Sequence, residues 1–469
     1  MYKFTMPADK WDETAPDKQA IRLLIMKHQK FREKLAKKKR YYEGEHKILD
    51  EAERKNKLVC NHAKDIADTA SSYFIGNPVS YKSSADIAAL TEPLELAGAD
   101  EADGDNGLDL SIYGLAFEYI YAKEGETDLI IKNLSPENTF MVYDDSIEEN
   151  ELFAVYYSIR KDDGHDTKII YVATVVTKNF RYVLDIEDIE GPQALLEEPE
   201  PHYMDEVPIV AYQNNKLGIG DYELQIPLID AYNALMSDRV TDKEQFVDAI
   251  LALYGFMLGD ENGKDADGRT APQRLKEDRL LEMPADARAE YITRTFDESG
   301  VEILKKAIEQ DIHKFSHIPC MSDESFGGNV SGVAMEFKLL GMENITKIKT
   351  RYYRKGLRKR LRIFANFLSK KGIAVDITGI TPTFTRAMPK NLLEISQIVA
   401  NLWGKVSRRT LLSQIPFVED VDEELNALEK ETQENLENQQ KMFGNDPNTK
   451  PDQPGEASAE DDVSHDEKE

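Results

Sequence analysis

The feature that most constrains this chain is one very long helical pattern, which runs from Val333 to Lys371. Apolar side chains recur in it mostly at three- and four-residue spacing, with one slip around Gly356. At about 1.5 Å per residue, such a helix is roughly 60 Å long, so the pattern predicts an elongated molecule rather than one small globule. The apolar positions are Met335, Leu339, Met342, Ile345, Tyr352, Leu357, Leu361, Phe364 and Leu368.

The segment before this rod has the opposite character. Residues Ile318 to Gly332 read IPCMSDESFGGNVSG and contain a proline and the pair Gly327 and Gly328. Glycine adopts backbone angles that are closed to other residues, and proline interrupts regular structure. We therefore predict an exposed loop that leads directly into the rod.

Composition places the chain among globular proteins. It has 469 residues, 41% of them hydrophobic and 31% charged, and at about 150 residues per domain this suggests roughly three domains. There is no apolar run of about 18 residues, so we expect no membrane span. The first residues lack the apolar core of a signal peptide, and two cysteines do not make a disulfide framework. We therefore expect synthesis in a reducing, intracellular compartment.

The charge is strongly negative, with one local exception. The formal net charge is −28, and such a chain as a whole repels nucleic acid. Residues 347 to 362 nevertheless carry nine basic side chains and no acidic one. Two readings stay open for them: a solvated helix face or partners of acidic neighbours, which would include adjacent subunits of an assembly, or contacts with nucleic acid. The nine are Lys347, Lys349, Arg351, Arg354, Lys355, Arg358, Lys359, Arg360 and Arg362.

Periodicity elsewhere predicts a mixed α+β fold. Short β-branched runs separated by turn clusters indicate antiparallel strands between residues 118 and 184, and one or two more strands between 372 and 387. Residues 98 to 107 are acidic and contain glycine, which favours a loop. Helices are predicted over Asp17 to Arg40, Asn61 to Phe74, Asp221 to Leu253 and Glu298 to His317, with three more after Pro389.

Two groups of residues invite a metal-site hypothesis that the spacing does not favour. His313 and His317 lie four residues apart with Cys320 close behind, but no second ligand pair follows. Asp144 and Asp145 are better explained as acidic turn residues. The sequence also lacks a phosphate-binding loop, a dinucleotide fingerprint and the HExxH and GxSxG motifs. We therefore predict no enzyme, no metal and no cofactor.

Five sequence blocks, in order, resemble the SPP1-type portal proteins of tailed bacteriophages. Each block alone is weakly specific, but the five occur in the family's order and are spread from residue 41 to residue 431, so the resemblance covers most of the chain. They are YYEGEHKIL at 41 to 49, NHAKDIADTASSYFIGNPVSY at 61 to 81, SDRVTDKEQFVDAILALYG at 237 to 255, IPCMSDESFGGNVSGVAMEFKLLGME at 318 to 343, and SRRTLLSQIPFVEDVDEELNALEKE at 407 to 431.

The resemblance implies a component of the virion at one capsid vertex, assembled in the host cytoplasm. Portals of this family form homo-oligomeric rings, with twelve subunits in the virion, through which double-stranded DNA passes non-specifically during packaging and ejection. The implied partners are the terminase large subunit, a head-completion or adaptor protein, and the major capsid and scaffolding proteins, with no membrane.

The resemblance also implies an elongated portal fold with long stem and spine helices, a β-rich wing and a small α/β clip. The implied parts are a wing (1–220), two stem helices (221–254 and 297–317) around a clip (255–296), a tunnel loop (318–332), a wing spine with strands (333–387) and crown helices (388–443). The composition of the last residues, and not the resemblance, predicts a disordered acidic tail (444–469). The loop residues expected to face DNA are Met321, Ser322, Asp323, Glu324, Ser325, Phe326, Gly327, Gly328, Asn329 and Ser331.

Two other functions remain as alternatives. The acidic clusters and the basic run would also suit a metal-dependent enzyme that processes nucleic acid. A scaffold or adaptor of another ring assembly is the second alternative.

Overall fold

The structure is a computed structural model. The chain folds into two compact units, Met1–Met388 and Pro389–Glu469. The structure describes residues 3–123, 125–161, 169–187, 194–195, 199–247, 250–254, 268, 270, 288–292, 298–321, 332–386, 392–415, 418 and 421–443. The predicted clip interior at 255–287, residues 322–331 of the tunnel loop and the tail at 444–469 lie outside these residues, apart from positions 268 and 270.

Helices of the first unit fall close to the periodic segments of the sequence. The long rod is one helix, as predicted, and the paired helices before it are both present. The helices are α1 (Lys18–Tyr42), α2 (His62–Ile75), α3 (Ala88–Leu96), α4 (Ala99–Tyr113), α5 (Ile226–Val247), α6 (Glu298–Ser316) and α7 (Gly332–Lys370). None of the helices in the described residues combines the length and apolarity needed to cross a bilayer.

The strands form two larger sheets and two short pairs, and nearly all pairings are antiparallel, in agreement with the predicted meander. One sheet has the order β1-β5-β6-β7-β8-β10, with β9 also on β8, and only β1 runs parallel to its neighbour. The others are β11-β3-β4, β12-β13 and β14-β2. The strands are β1 (Phe4–Thr5), β2 (Ser80–Lys82), β3 (Leu115–Ala122), β4 (Leu129–Leu134), β5 (Thr139–Tyr143), β6 (Glu151–Lys161), β7 (Ile169–Val176), β8 (Phe180–Glu187), β9 (Ala194–Leu195), β10 (Glu200–Pro201), β11 (Ile209–Gln213), β12 (Ile250–Tyr254), β13 (Arg288–Ile292) and β14 (Thr381–Thr383).

Helix α1 packs on the large sheet. It begins at Asp17, whose carboxylate accepts hydrogen bonds from the backbone N–H groups of Gln19 and Ala20. Its apolar face, including Ile21 and Ile25, is buried in one cluster with the inward residues of β5 to β8. This amphipathic helix therefore covers one face of the sheet.

The long helix α7 packs against α3, α4 and the smaller sheet. Leu357, Leu361 and Phe364 belong to one buried cluster with apolar side chains of α3 and α4. Gly356 lies directly against the ring of Tyr212, and a Cβ there would be 2.3 Å from the ring. The apolar pattern therefore slips at Gly356 because β11 approaches the helix backbone so closely there that no side chain fits.

Two predictions about local structure were wrong. Residues 98 to 107 are not a loop, because α4 begins at Ala99 with Asp100 and Glu101 in its first turn, where acidic side chains suit the helix dipole. Gly107 is a packing residue, since a Cβ there would lie 2.4 Å from the side chain of Ile75.

The second error concerns the end of α5. The predicted helix from Asp221 to Leu253 ends at Val247, and the apolar run that follows is strand β12, which pairs with β13 from Ile250↔Ile292 to Tyr254↔Arg288. A short apolar run fits either a helix or a strand, and pairing with β13 decides it here.

The described residues of the second unit form three helices, as predicted. They are α8 (Leu392–Leu402), α9 (Arg408–Leu412) and α10 (Val421–Phe443). Ser407 caps α9, because its hydroxyl accepts a hydrogen bond from the backbone N–H of Thr410.

Candidate functional site

The first element of the candidate site is the helix pair α5 and α6. Arg239 of α5 lies 2.9 Å from Glu302 of α6, and Lys243 lies 2.8 Å from Glu298. Beyond the helices, strand β12 follows α5 and pairs with β13, which precedes α6. The two helices and the two strands therefore run side by side. The structure therefore has a helical hairpin whose far end leads into residues 255–287, which lie outside the described part.

Buried polar side chains form hydrogen bonds between helix α5 and the segment that joins α1 to α2. The amide nitrogen of Asn233 lies 2.8 Å from Nδ1 of His46, and its amide oxygen accepts from the backbone N–H of Cys60 at 2.8 Å. The hydroxyl of Ser237 accepts from the backbone N–H of Leu58 at 2.9 Å. Each of these buried groups has a partner, which fixes the position of α5.

His46 has the tautomer that this joint requires. Its Nε2 lies 2.9 Å from the carbonyl oxygen of Tyr41, so Nε2–H donates and Nδ1 accepts from Asn233. Burial lowers the pKa of His46 below its ordinary value, which favours this neutral form. Sequence reasoning identified the block that holds His46 but missed the contact with Asn233, which is 187 residues away.

At the end of α6, the histidines take different positions. His313 is buried, and its Nδ1 lies 3.1 Å from the carbonyl oxygen of Ile318. His317 is exposed and has a φ of 59°, so it ends the helix in a left-handed conformation. Within the described ranges, no group of three or more His, Cys, Asp or Glu residues is arranged to hold a metal ion.

The described residues include only the two ends of the predicted DNA-facing loop. Met321, one of the predicted loop residues, is 55% exposed and is the last described residue before positions 322–331. The other predicted loop residues, Ser322, Asp323, Glu324, Ser325, Phe326, Gly327, Gly328, Asn329 and Ser331, lie outside the described residues. Helix α7 begins at Gly332, so the loop joins the ends of α6 and α7.

The basic run of α7 divides into buried and exposed side chains. Arg360 is fully buried, and its Nε lies 2.8 Å from Glu118 while its Nη2 lies 2.6 Å from Asp103. The hydroxyl of Tyr212 donates to Glu118 at 2.9 Å, and the hydroxyl of Tyr353 donates to Asp103 at 2.5 Å. The cation therefore joins α7 to both α4 and β3.

Electrostatics within this cluster favours the charged arginine. Burial by itself disfavours a guanidinium, but the charges of Asp103 and Glu118 hold the pKa of Arg360 well above its ordinary value. Sequence reasoning missed both acidic partners, since they lie 257 and 242 residues away and no local pattern connects them.

Two lysines of the same run are also paired inside the subunit. Lys349 lies 2.7 Å from Asp221, which precedes α5. Lys359 forms an ion pair with Glu151 and donates to the carbonyl oxygen of Ile209 at 2.7 Å. The predicted basic patch is therefore corrected for Lys349, Lys359 and Arg360, because their partners belong to the same chain and they are not available to DNA or to a neighbour.

The remaining basic residues lie nearer the surface. Arg362 pairs with Glu206 at 2.6 Å and Lys347 with Glu343 at 3.7 Å, while Arg354 donates to the carbonyl oxygen of Pro382 at 3.3 Å. Arg351, Lys355 and Arg358 are exposed, and no described residue forms an ion pair with them. Those three keep free charges on the outer face of α7.

The acidic pair at 144 and 145 serves a turn. The carboxylate of Asp144 accepts hydrogen bonds from the hydroxyl of Ser146 at 2.7 Å and from the backbone N–H of Asn150 at 2.9 Å. Hydrogen bonds from Asn150 and Ser146 lower the pKa of Asp144. Its oxygens are thus used to close the loop between β5 and β6.

Most of the chain matches a known protein family. Residues 21–438 match the family described as "Phage portal protein, SPP1 Gp6-like". The portal protein of Bacillus phage SPP1 is 26% identical over 453 residues, which cover 90% of this chain and 86% of that protein. The portal protein of Clostridium phage phiCD119 is 25% identical over 239 residues, covering 47% of this chain and 48% of that protein.

Among solved structures, a chain from the neck of an empty GTA particle is similar, with a TM-score of 0.43 and 12% identity. The similarity covers 75% of this chain and 90% of that chain. The family match extends over most of the sequence and includes α5, α6 and α7. The chain therefore belongs to the SPP1 Gp6-like family of phage portal proteins.

Proposed function

We propose that this chain is the subunit of a ring at one capsid vertex, through which double-stranded DNA enters and leaves the particle. The observation that carries the proposal is the order of elements inside the family match: a helical hairpin and then a 39-residue helix, with a glycine-containing segment between them in the sequence. A protein of this kind is a structural part of the virion rather than an enzyme.

The parts of the subunit follow from this proposal. Helices α5 and α6 are the stem, residues 255–296 the clip, α7 the spine of the wing, and α8 to α10 the crown. The buried hydrogen bonds of Asn233 and Ser237 support the stem assignment, because they hold α5 in a fixed position against the segment between α1 and α2. The clip and stem are the parts we assign to contact the terminase large subunit and the head-completion protein, whereas the wing contacts the capsid and scaffolding proteins.

Charge is consistent with a channel through which DNA moves without being bound. Several Lys or Arg contacts per helical turn of DNA would make a strong, salt-sensitive binding site. The net charge of −28 works against such binding. Three of the nine basic residues between 347 and 362 form buried ion pairs inside the subunit, which removes them from any DNA contact.

We assign the loop from Ile318 to Gly332 to the channel wall. It is connected at both ends to long helices, α6 and α7, so a displacement of the loop would be transmitted to stem and wing. Small and uncharged side chains suit a sliding contact, and Asp323 and Glu324 would repel the phosphates locally. We expect a ring of twelve such subunits in the virion.

The alternative of a metal-dependent nuclease has less support. It requires carboxylates that are free to bind magnesium, whereas both oxygens of Asp144 accept hydrogen bonds from neighbouring turn residues. The alternative of a different ring scaffold differs from a portal in one respect: it would not enter a capsid together with the capsid protein.

The test of the channel assignment is a packaging assay with the variant Asp323→Lys, Glu324→Lys. We expect rings of normal size by electron microscopy and slower or stalled DNA packaging. A matched control places the same two charge changes at Asp145 and Glu148, in an exposed turn between β5 and β6 that is distant from the loop in sequence. Normal packaging by the loop variant would remove the loop from the channel wall.

A further inference from the structure

The outer face of α7 is the strongest unassigned surface of the first unit. Its exposed residues Phe337, Leu340, Ile348, Arg351, Lys355 and Arg358 recur at three-, four- and eight-residue spacing and form one stripe, which we call the outer stripe. Phe337 is 72% exposed and Leu340 50%. From Phe337 to Arg358 the stripe is about 32 Å long, apolar at its start and basic at its end.

A second exposed surface has the opposite charge. Helices α3 and α4 form a hairpin, and residues 83 to 122 contain no lysine or arginine. The side chains that face solvent are Glu92, Glu95, Leu96, Asp100, Glu101 and Asp105, which we call the acidic hairpin surface. Leu96 is 81% exposed, beside a shallow groove that is also lined by Leu129 and Phe367.

The two surfaces point in opposite directions. The buried faces of α4 and α7 contact each other directly, because Asp103 accepts from Tyr353 and Arg360. The buried face of α3, with Leu90 and Leu94, lies in the same apolar cluster as Leu357 of α7. Residues on the opposite faces of these helices therefore lie on opposite sides of the subunit.

We propose that the outer stripe of one subunit binds the acidic hairpin surface of the next subunit in the ring. This inference rests on the proposed function. A contact between two different surfaces of identical subunits is the head-to-tail arrangement that closes into a ring. The free charges of Arg351, Lys355 and Arg358 meet carboxylates, and the apolar half of the stripe meets Leu96 and its groove.

The stripe suits a protein partner better than DNA. Contacts with the phosphate backbone use charged and polar side chains and do not bury large apolar ones. Phe337, Leu340 and Ile348 would stay in water beside a DNA duplex. A surface that combines acidic and apolar groups accounts for both halves of the stripe, and the acidic hairpin surface has both.

The test compares three variants of the full-length protein with wild type by native mass spectrometry and light scattering. The stripe variant is Arg351→Glu, Lys355→Glu, Arg358→Glu. The control variant, Lys27→Glu, Lys30→Glu, Lys34→Glu, changes the charge equally on an exposed face of α1. The swap variant adds Glu92→Lys, Glu95→Lys and Glu101→Lys to the stripe variant.

We expect the stripe variant to require a concentration at least about tenfold higher than wild type to form rings. The control should assemble as wild type does, and the swap variant should recover assembly. Circular dichroism and an unchanged thermal midpoint check that the stripe variant is folded, since all three substituted residues are exposed.

Two results would overturn the inference while leaving the proposed function intact. One is a stripe variant that forms rings as readily as wild type, including the case in which its rings package DNA poorly. The other is a folded stripe variant that stays monomeric and is not rescued by the swap. A wild-type protein that forms no rings would instead overturn the proposed function, and this inference with it.

Discussion

Arg360 lies between two carboxylates, with its Nε 2.8 Å from Glu118 and its Nη2 2.6 Å from Asp103. The three side chains are at most 2% exposed. Because Asp103 belongs to α4, Glu118 to β3 and Arg360 to α7, this cluster holds the long helix against the rest of the first unit. The buried cation is thus a structural residue within a run that otherwise resembles a binding patch.

The first prediction concerns the loss of this cation. Replacement of Arg360 by Met leaves two buried carboxylates without a counter-charge, and breaking a buried pair in this way costs about 3–5 kcal/mol of stability. Urea unfolding of the monomer measures the change. Arg358→Met is the matched control two residues away, where an exposed side chain is replaced and we expect a change within about 0.5 kcal/mol. Equal losses for the two variants would contradict the role of Arg360.

Gly356 gives a second prediction. Gly356→Ala places a methyl group 2.3 Å from the ring of Tyr212, so the helix and β11 must separate, at a cost of about 1–3 kcal/mol. Gly104→Ala is the control, because it also lies within a helix and has nothing within 4 Å of the added Cβ. Alanine is a better helix former than glycine, so the control should be neutral or slightly stabilising. Thermal unfolding distinguishes the two, and a stabilised Gly356→Ala variant would show that β11 does not press on the helix.

The third prediction concerns pH and His28. Burial, assisted by the nearby charge of Arg32, lowers the pKa of His28 from 6.5 to about 4. As the pH falls below 6.5, the unfolded chain binds the proton first, so stability that is present above pH 6.5 is lost progressively down to about pH 4. The full effect is about 3 kcal/mol, of which about 2 kcal/mol is lost by about pH 5.

The measurement is the free energy of unfolding at about pH 7 and about pH 5, for wild type and His28→Gln. Asp109 contributes a slope of opposite sign, since burial raises its pKa to about 7 and it binds its proton more tightly when folded. The comparison of two variants removes this common term. If both lose the same stability on acidification, His28 does not remain neutral in the fold.

A fourth prediction addresses the base of the helical hairpin. Asn233→Ala removes the partners of His46 and of the backbone N–H of Cys60, both of which stay buried or partly buried, and this costs about 2 kcal/mol. Faster hydrogen exchange should follow in α5 and in the segment before α2. Gln310→Ala, at an exposed position of α6, is the control. Unchanged exchange in α5 would show that the joint does not fix this helix.

How far the sequence predicts this structure depends on the range of the interactions. Helices α1, α6 and α7 are strongly periodic, so their positions follow from local pattern, and the antiparallel strands follow from β-branched runs and turns. The position of helix α4 does not follow from local pattern, because its acidic, glycine-containing sequence resembles a loop. This segment becomes helical through the burial of Asp103 and Gly107. Strand β12 depends on pairing with β13, and residues 255–287 separate the two strands in the sequence.

The candidate site was predictable in outline but not in its charges. Family resemblance identifies the hairpin and the long helix from five ordered blocks, and the loop between them stays a prediction. It does not separate Arg360 from Arg358, because their difference is set by residues more than 240 positions away for one and by solvent for the other. Three of the nine predicted patch residues are internal for this reason.

The proposed function requires that this chain forms a closed ring around a channel. Electron microscopy of the purified full-length protein tests it most directly, with top views averaged without imposed symmetry over several salt concentrations. We predict rings of identical subunits around a central opening, which is lined by α5, by α6 and by the loop from Ile318 to Gly332. Monomers or open filaments under every condition would contradict the claim.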